Sequence, residues 1–337
     1  MSEYKLCVIP GDGVGREVIP CAVEVIQHVL PSVAIVSADA GWDCFTRTGN
    51  ALPPATLAAI QDCGAALFGA VSSPSHKVEG YRSPIVQMRQ HFNLYANLRP
   101  TRELNLSGHD AAGQPGIDLL IVRENTQGLY IGREYTRGDE AIAERVITSE
   151  ASTRIGRVAF DLAVSRLRRQ VTIVHKANIL PVTDGVFRDA VRAVGAAYPD
   201  VKIDEVLVDT AAMLLASKPR QFDVIVSTNL FGDILSDVAS VWGGGMGVAP
   251  ALNLGDSVAI AEPVHGSAPD ISGRNIANPA GAILSAAMLL RYRWKLVDEA
   301  ERVERAVFTA ISHGIRTADL GGQATTSAMA HHILDLL

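Results

Sequence analysis

Short apolar runs alternate with amphipathic stretches along most of the chain. The run "YKLCVI", residues 4–9, is rich in strand-forming side chains and closes on the turn "PGDGVG". A helical period follows from about residue 17 to 30. "VAIVSAD" and "CGAALFGAV" predict further strands, with a helix over 54–62 between them. The polar stretch "SSPSHKVEGYRSP", residues 72–84, predicts a loop that leads into a helical "IVQMRQHFNL" and then "YANLRPTREL". "SGHDAAGQPG", 107–116, is loop-like, and "IDLLIVREN", 117–125, starts a new strand. The mixed pattern over 130–148 predicts an excursion or arm. Beyond it come a helix over 151–167, a strand in "QVTIVHKAN", a helix in "TDGVFRDAVRAVGAAYP", a strand-to-helix passage in "KIDEVLVDTAAMLLAS" and a strand in "FDVIVSTN". "NLFGDILSD" opens another helix, and "GGGMGVAP" marks a connection. "PAGAILSAAMLLRY", 279–292, is apolar but too short to cross a bilayer, which predicts a buried helix. This alternation is that of an α/β protein whose helices cover a largely parallel sheet.

With 337 residues the chain can bury the core of two domains or of one large α/β unit. The formal charge of -6 is spread over interspersed signs, with no basic arm for nucleic acid and no long apolar segment for a membrane. Arginine outnumbers lysine 24 to 6, which favours bidentate grip on carboxylates. Cys7, Cys21, Cys44 and Cys63 form no CxxC pair, so they read as buried thiols of a reducing compartment. "MSEYKLCVIPGDG" runs straight into a strand and has no signal-peptide pattern, which points to the cytoplasm.

Several strands end on polar residues: Arg123, Glu124 and Asn125; His175, Lys176 and Asn178; Thr228 and Asn229. In α/β proteins ligands sit beyond the C-terminal ends of strands. Asp233 and Asp237 stand four apart in an otherwise apolar run, so a helix places both on one face. They are either a cap with an exposed acid or half of a hard-metal site, with Asp209 as a third carboxylate or as a helix cap of its own. Arg89, Arg99 and Arg123 are candidates for an anionic substrate, or else surface arginines and partners of Glu124. Lys176 is either a base drawn into a pocket or a lysine snorkelling at a strand end. "PGDGVG" is not a G-x-G-x-x-G motif, and a strand-to-helix turn accounts for its glycines. In "EPVHGSAPDISGRNIANP", Gly266, Ser267 and Ala268 would let backbone N–H groups approach a phosphate or adenine, and Asp270 could accept from ribose hydroxyls. The competing reading is a structural loop with an exposed acid.

Taken together, "IPGDGVG", "NLFGDILSD", "EPVHGSAPDISG" and "LGGQATT" resemble the β-hydroxyacid oxidative decarboxylases, the isocitrate/isopropylmalate dehydrogenase family, along essentially the whole chain. The resemblance implies a two-domain α/β fold that is not the usual Rossmann arrangement. One domain would hold 1–98 and 246–337, the other 99–245 with the arm and the dimer contact. It further implies a homodimer or dimer of dimers, with active sites between domains shared by both subunits. Arg89, Arg99 and Arg123 would clamp the malate carboxylates. Asp233 and Asp237, with Asp209 of a neighbouring chain, would hold Mg²⁺ or Mn²⁺, and K⁺ is a further candidate. Lys176, also from the neighbour, would take the C2 hydroxyl proton, and Tyr130 would protonate the carbon that loses CO₂. Asn178 would lie near the nicotinamide, and Glu262, His265, Gly266, Ser267, Ala268, Asp270, Ile271 and Asn278 would form the cofactor pocket. Asp270 and Ile271 look NAD-type, since NADP members have lysine and tyrosine there.

The substrate is read from "KVEGYRSPIVQMRQHFNLYANLRP", which resembles the homoisocitrate dehydrogenases, as does "GREYTRG". Isopropylmalate enzymes carry two leucines where this chain has Ile85 and Val86, and isocitrate enzymes a serine in place of Val86. Some homoisocitrate enzymes have an arginine at Val86, so here Arg82, Ser83 or His76 would hold the distal carboxylate. The expectation is NAD-dependent conversion of homoisocitrate to 2-oxoadipate in lysine (α-aminoadipate) biosynthesis, with isocitrate as a second substrate. The rivals are 3-isopropylmalate dehydrogenase and a non-catalytic family subunit or metabolite-binding protein. Tyr130, Lys176, Asp209, Asp233 and Asp237 are all present, which argues against the last.

Overall fold

The computed structural model describes residues 4–74, 76, 78–104 and 116–337. Most of the predicted 107–116 loop, together with Ser75 and Lys77, lies outside the described residues. The described chain forms two compact units. One holds the described residues of Met1–Asn93 and Gly244–Leu337 with Leu104, and the other those of Leu94–Glu103 and Gly113–Gly243.

In the first unit the strands run in the order Ala34–Ser37, Lys5–Gly11, Ala65–Ala70, Ala259–Pro263, Pro250–Leu254. The first three pairings are parallel and the last is antiparallel. The helix Ala280–Met288 is buried along its whole length, as nine residues without a charge require, and packs on the amphipathic helix Gly15–Val29. The "PGDGVG" turn works by close backbone approach. A Cβ at Gly11 would lie 2.1 Å from the Ala70 carbonyl oxygen, and one at Gly13 would lie 2.0 Å from that of Ser267. Both glycines also have positive φ. Asp12 between them is buried, and its carboxylate accepts the backbone N–H groups of Trp42, Asp43 and Ser72 at 2.7, 3.0 and 2.9 Å. Three donors satisfy the carboxylate oxygens that burial removes from water.

In the second unit the order is Ala96–Arg102, Asp118–Glu124, Val224–Ser227, Gln170–His175, Lys202–Leu207. The first pairing is antiparallel and the rest are parallel. The helices Val208–Ser217 and Asn229–Ser240 close one apolar cluster around Ile121, Leu215, Phe222, Ile225 and Leu235. The predicted excursion is a hairpin of two exposed antiparallel strands, Glu134–Arg137 and Glu140–Ala143. It leads to the helix Ser149–Val164, whose first turn is capped by the Thr148 hydroxyl.

The sheets are largely parallel, as the sequence suggests, with antiparallel pairs where Pro250–Leu254 meets Ala259–Pro263 and where Asp118–Glu124 meets Ala96–Arg102. Asn97, Arg99 and Pro100 are poor strand formers, so this strand has no β signature in the sequence. The first unit runs to Asn93 and the second begins at Leu94, ahead of this strand.

Cys7 and Cys21 are buried, and burial pushes their thiols up to about 12 and about 11. The half-buried Cys63 is also raised by desolvation. An aromatic disulfide reagent at mildly alkaline pH should therefore modify Cys63 first and reach Cys7 and Cys21 only on unfolding. Equal labelling of Cys7 in folded and denatured protein would contradict this. Among the described residues no helix is long and apolar enough to cross a membrane.

Candidate active site

The second unit holds the candidate acids Asp209, Asp233 and Asp237, with Arg99, Arg123, Tyr130, Lys176 and Asn178. Asp233 and Asp237 lie one turn apart on Asn229–Ser240. Arg123, at the end of Asp118–Glu124, lies against this helix because residue 232 is glycine. A Cβ there would stand 2.8 Å from both Cβ and Cγ of Arg123. The guanidinium is only 1% exposed. Its Nε and Nη2 donate to Asn229 Oδ1 at 3.0 and 2.7 Å, while Nη1 pairs with Asp233 Oδ1. Arg99 reaches the same acids from Ala96–Arg102. Its Nη2 is 3.4 Å from Asp233 Oδ1, and its Nη1 is 3.3 Å from Asp237 Oδ1. Asn97 and Ser236 hold that guanidinium in place at 2.9 and 2.8 Å. Tyr130 donates its hydroxyl to the other Asp233 oxygen at 2.7 Å, and its ring lies under Arg123, 5.2 Å from Cζ.

Burial lifts the Asp237 carboxyl above the ordinary carboxylate range. Arg99 opposes the shift and Asp233 adds to it. Carboxylate oxygens are the donors a hard divalent ion takes. Among the described residues no group of three His, Cys, Asp or Glu side chains is placed to hold a metal ion.

Lys176 and Asp209 form a separate pair. Lys176 Nζ is 2.5 Å from Asp209 Oδ1, and the side chains are 25% and 62% exposed. This lysine holds the Asp209 carboxyl below its usual range, chiefly through the hydrogen bond. Asn178 is exposed just beyond Lys176.

The first unit carries the rest. Arg89, on the helix Pro84–His91, donates to Asn253 Oδ1 at 3.0 Å and to Glu262 Oε1 at 2.9 Å. This substrate candidate and this cofactor candidate are thus an ion pair, joined by Asn253, which also donates to Glu262 at 2.7 Å. In the loop that follows, His265 is pushed below its ordinary value by burial. Ser267 is buried, accepts from Val14 N–H through its carbonyl at 2.9 Å, and takes a hydrogen bond from Ser72 Oγ at 2.8 Å. Ala268 has a positive φ of 40°, a conformation costly for a residue with a Cβ. Glu17 fastens the loop by accepting the N–H groups of Gly273 and Asn275, both at 2.7 Å. Gly266 and Asp270 are exposed, and Ile271 is half-buried. Asn278 donates to Asp319 at 3.0 Å and accepts from Ala280 N–H at 2.9 Å, so both ends of its amide serve the fold. In "VEGYRSPIV", Arg82 is exposed and reaches Gln90 at 3.3 Å, Ser83 makes no side-chain cap bond, and Ile85 and Val86 are half-buried.

Some strand-end residues prove structural. Glu124 accepts the N–H groups of Thr126 and Gln127 at 2.9 and 2.8 Å, so the partner of Arg123 is Asp233 and not Glu124. Asn125 donates to the Leu94 carbonyl at 3.0 Å. The buried His175 accepts from Ala177 N–H at 3.0 Å and stands 3.1 Å from Glu205. Sequence reasoning passed over Asn97, Ser236 and Asn253, whose polar side chains have no local pattern.

The profile of a family described as isocitrate/isopropylmalate dehydrogenase matches residues 5–333. An isocitrate/homoisocitrate dehydrogenase of Thermus thermophilus is 48% identical over 334 residues, covering 99% of this chain and 98% of its own. A 3-isopropylmalate dehydrogenase of Methanothermobacter thermautotrophicus is 44% identical over 333 residues, covering 99% and 98%. Among solved structures, the isocitrate dehydrogenase from Methylococcus capsulatus matches with a TM-score of 0.91 at 41% identity, over 99% of both chains.

Proposed function

The chain belongs to the isocitrate/isopropylmalate dehydrogenase family and has its two-domain α/β fold with mixed sheets, and on that premise we propose that it oxidatively decarboxylates homoisocitrate to 2-oxoadipate and CO₂, with NAD as hydride acceptor. The observation that carries this reading is the convergence of Arg99, Arg123 and Tyr130 on Asp233. Two guanidinium charges balance Asp233 and Asp237, so with a divalent ion bound the cluster has two positive charges left for two substrate carboxylates.

Mg²⁺ or Mn²⁺ held by Asp233, Asp237 and Asp209 would withdraw electrons from the C2 oxygen, and NAD held by the 262–278 segment would take the C2 hydride. Arg99 and Arg123 exchange Asp233 for carboxylates of the substrate, with Arg89 as the third clamp. Lys176 takes the C2 hydroxyl proton. Tyr130, whose hydroxyl already points at the acid cluster, returns a proton to the carbon that has lost CO₂. Lys176 and Asp209 come as one pair from a second copy of the chain, which makes the working form a homodimer or a dimer of dimers. Asn178 borders the nicotinamide, and Asp270 with Ile271 selects NAD.

For the substrate, the exposed Arg82 and the uncommitted hydroxyl of Ser83 are suited to a distal carboxylate, a group that isopropylmalate lacks. The 48% identity to an enzyme named for isocitrate and homoisocitrate supports the same choice, with isocitrate as second substrate. Ile85 and Val86 and the 44% identity to an isopropylmalate enzyme favour the alternative, 3-isopropylmalate dehydrogenase. Homoisocitrate chemistry would place the protein in lysine biosynthesis in the cytoplasm.

The test is kcat/KM for homoisocitrate, isocitrate and 3-isopropylmalate in parallel, with NAD, Mg²⁺ and K⁺. The expected order puts homoisocitrate first. Preference for isopropylmalate would mean that Ile85 and Val86 govern the pocket. Binding without turnover of any of the three would favour a metabolite-binding protein.

A further inference from the structure

Arg145 lies between the exposed hairpin and the helix Ser149–Val164, and its single guanidinium reaches two segments of the second unit. Nη1 donates to Thr183 Oγ1 at 2.7 Å and stands 2.6 Å from Asp184 Oδ1. Nη2 donates to Thr228 Oγ1 at 3.1 Å, and Cζ sits over the Phe231 ring, 5.4 Å from its centroid. Thr228 is the N-cap residue of Asn229–Ser240, where a threonine hydroxyl ordinarily accepts from the helix's own free N–H groups. Here it makes no cap bond and accepts from Arg145 instead. Asp184 is fully buried, and its second oxygen accepts the backbone N–H of Lys176 at 2.6 Å. One charged network thus fastens the turn that presents Lys176 and the first turn of the helix that bears Asp233 and Asp237.

A buried ion pair is weak evidence of any role, since neutral side chains of similar volume often replace one without loss of stability. The division of labour here is more specific. Each oxygen of Asp184 has its own duty, one to Arg145 and one to the Lys176 amide. Each arm of Arg145 reaches a different element, which a lysine's single ammonium could not do. Neither residue belongs to the clamp, the proton donors or the acid cluster.

We propose that Arg145 and Asp184 are positioning residues that set the Lys176 turn relative to the Asp233 helix, a role that rests on Lys176 being the base of the proposed reaction. The experiment compares the full chain with Arg145→Gln, Asp184→Asn and the double variant. For each, kcat, KM and the thermal midpoint are measured. The Lys176 signal is followed by NMR after ¹³C-methylation of the six lysines, and is assigned by its loss in Lys176→Ala. Each single change leaves a buried group unpaired and lowers the midpoint. It also displaces the Lys176 signal and lowers kcat about 10- to 100-fold, the scale of a small misplacement of a reacting group, with KM within about twofold. The double variant restores a neutral pair and regains the midpoint. Its kcat and Lys176 signal stay displaced, because a glutamine side chain is too short to span from Asp184 to Thr228.

If activity and signal return together with the midpoint, the pair is only structural and the inference is wrong. Should the wild type reduce no NAD, the proposed reaction falls, while the NMR signal still decides the positioning role. A displaced signal in the double variant upholds it, and an unmoved one overturns it.

Discussion

Lys176→Ala is expected to lower kcat about a thousandfold, within the range that a general base contributes, while the fold stays intact. The contrast follows from the exposure of the pair. Asp209, the partner of Lys176, is 62% exposed, so losing the lysine leaves an acid that water solvates. An exposed pair of this kind contributes little to stability. The backbone N–H of Lys176 still donates to Asp184 in the variant, because that bond does not involve the side chain. The checks are steady-state rates at saturating substrate, metal and NAD, beside a thermal midpoint nearly equal to the wild type. A loss of less than about tenfold would remove Lys176 from the role of base.

Arg123→Lys is expected to lower kcat/KM for homoisocitrate by about two orders of magnitude or more, mostly through KM. The guanidinium satisfies Asn229 with two donors and Asp233 with a third. A lysine ammonium on an unbranched stem cannot meet both partners and a substrate carboxylate. Each charge-assisted hydrogen bond lost is about 1.5–3 kcal/mol, so losing one or two gives the stated range. Stability also falls, because Arg123 is only 1% exposed and Asn229 would be left with an unmet acceptor. An unchanged KM for homoisocitrate in a folded variant would show that Arg123 holds Asp233 and nothing else.

The parts of this site that rest on local pattern were legible in the sequence. Asp233 and Asp237 stand one helical turn apart in an apolar run, and that spacing alone places them on one face. The buried helix Ala280–Met288 was legible because nine residues carry no charge. The antiparallel strand Ala96–Arg102 was not, since Asn97, Arg99 and Pro100 owe their extended conformation to pairing with Asp118–Glu124. Asp12 was hidden for a different reason. Its motif reads as a glycine turn, while its three backbone donors come from Trp42, Asp43 and Ser72, tens of residues away. The same holds for Arg145 and Asp184, and for Asn229 as the holder of Arg123, where tertiary structure chooses the partner. Resemblance of long motifs named the chemistry, and the geometry adds which side chains hold the named ones in place.

The most direct measurement is to incubate the purified protein with homoisocitrate, NAD and Mg²⁺, follow NADH, and identify the organic product and CO₂. The account predicts that NADH, 2-oxoadipate and CO₂ appear in equal amounts, and that Lys176→Ala slows the formation of all three together, by about a thousandfold. No NADH, or a product that keeps all its carboxyl groups, would contradict it.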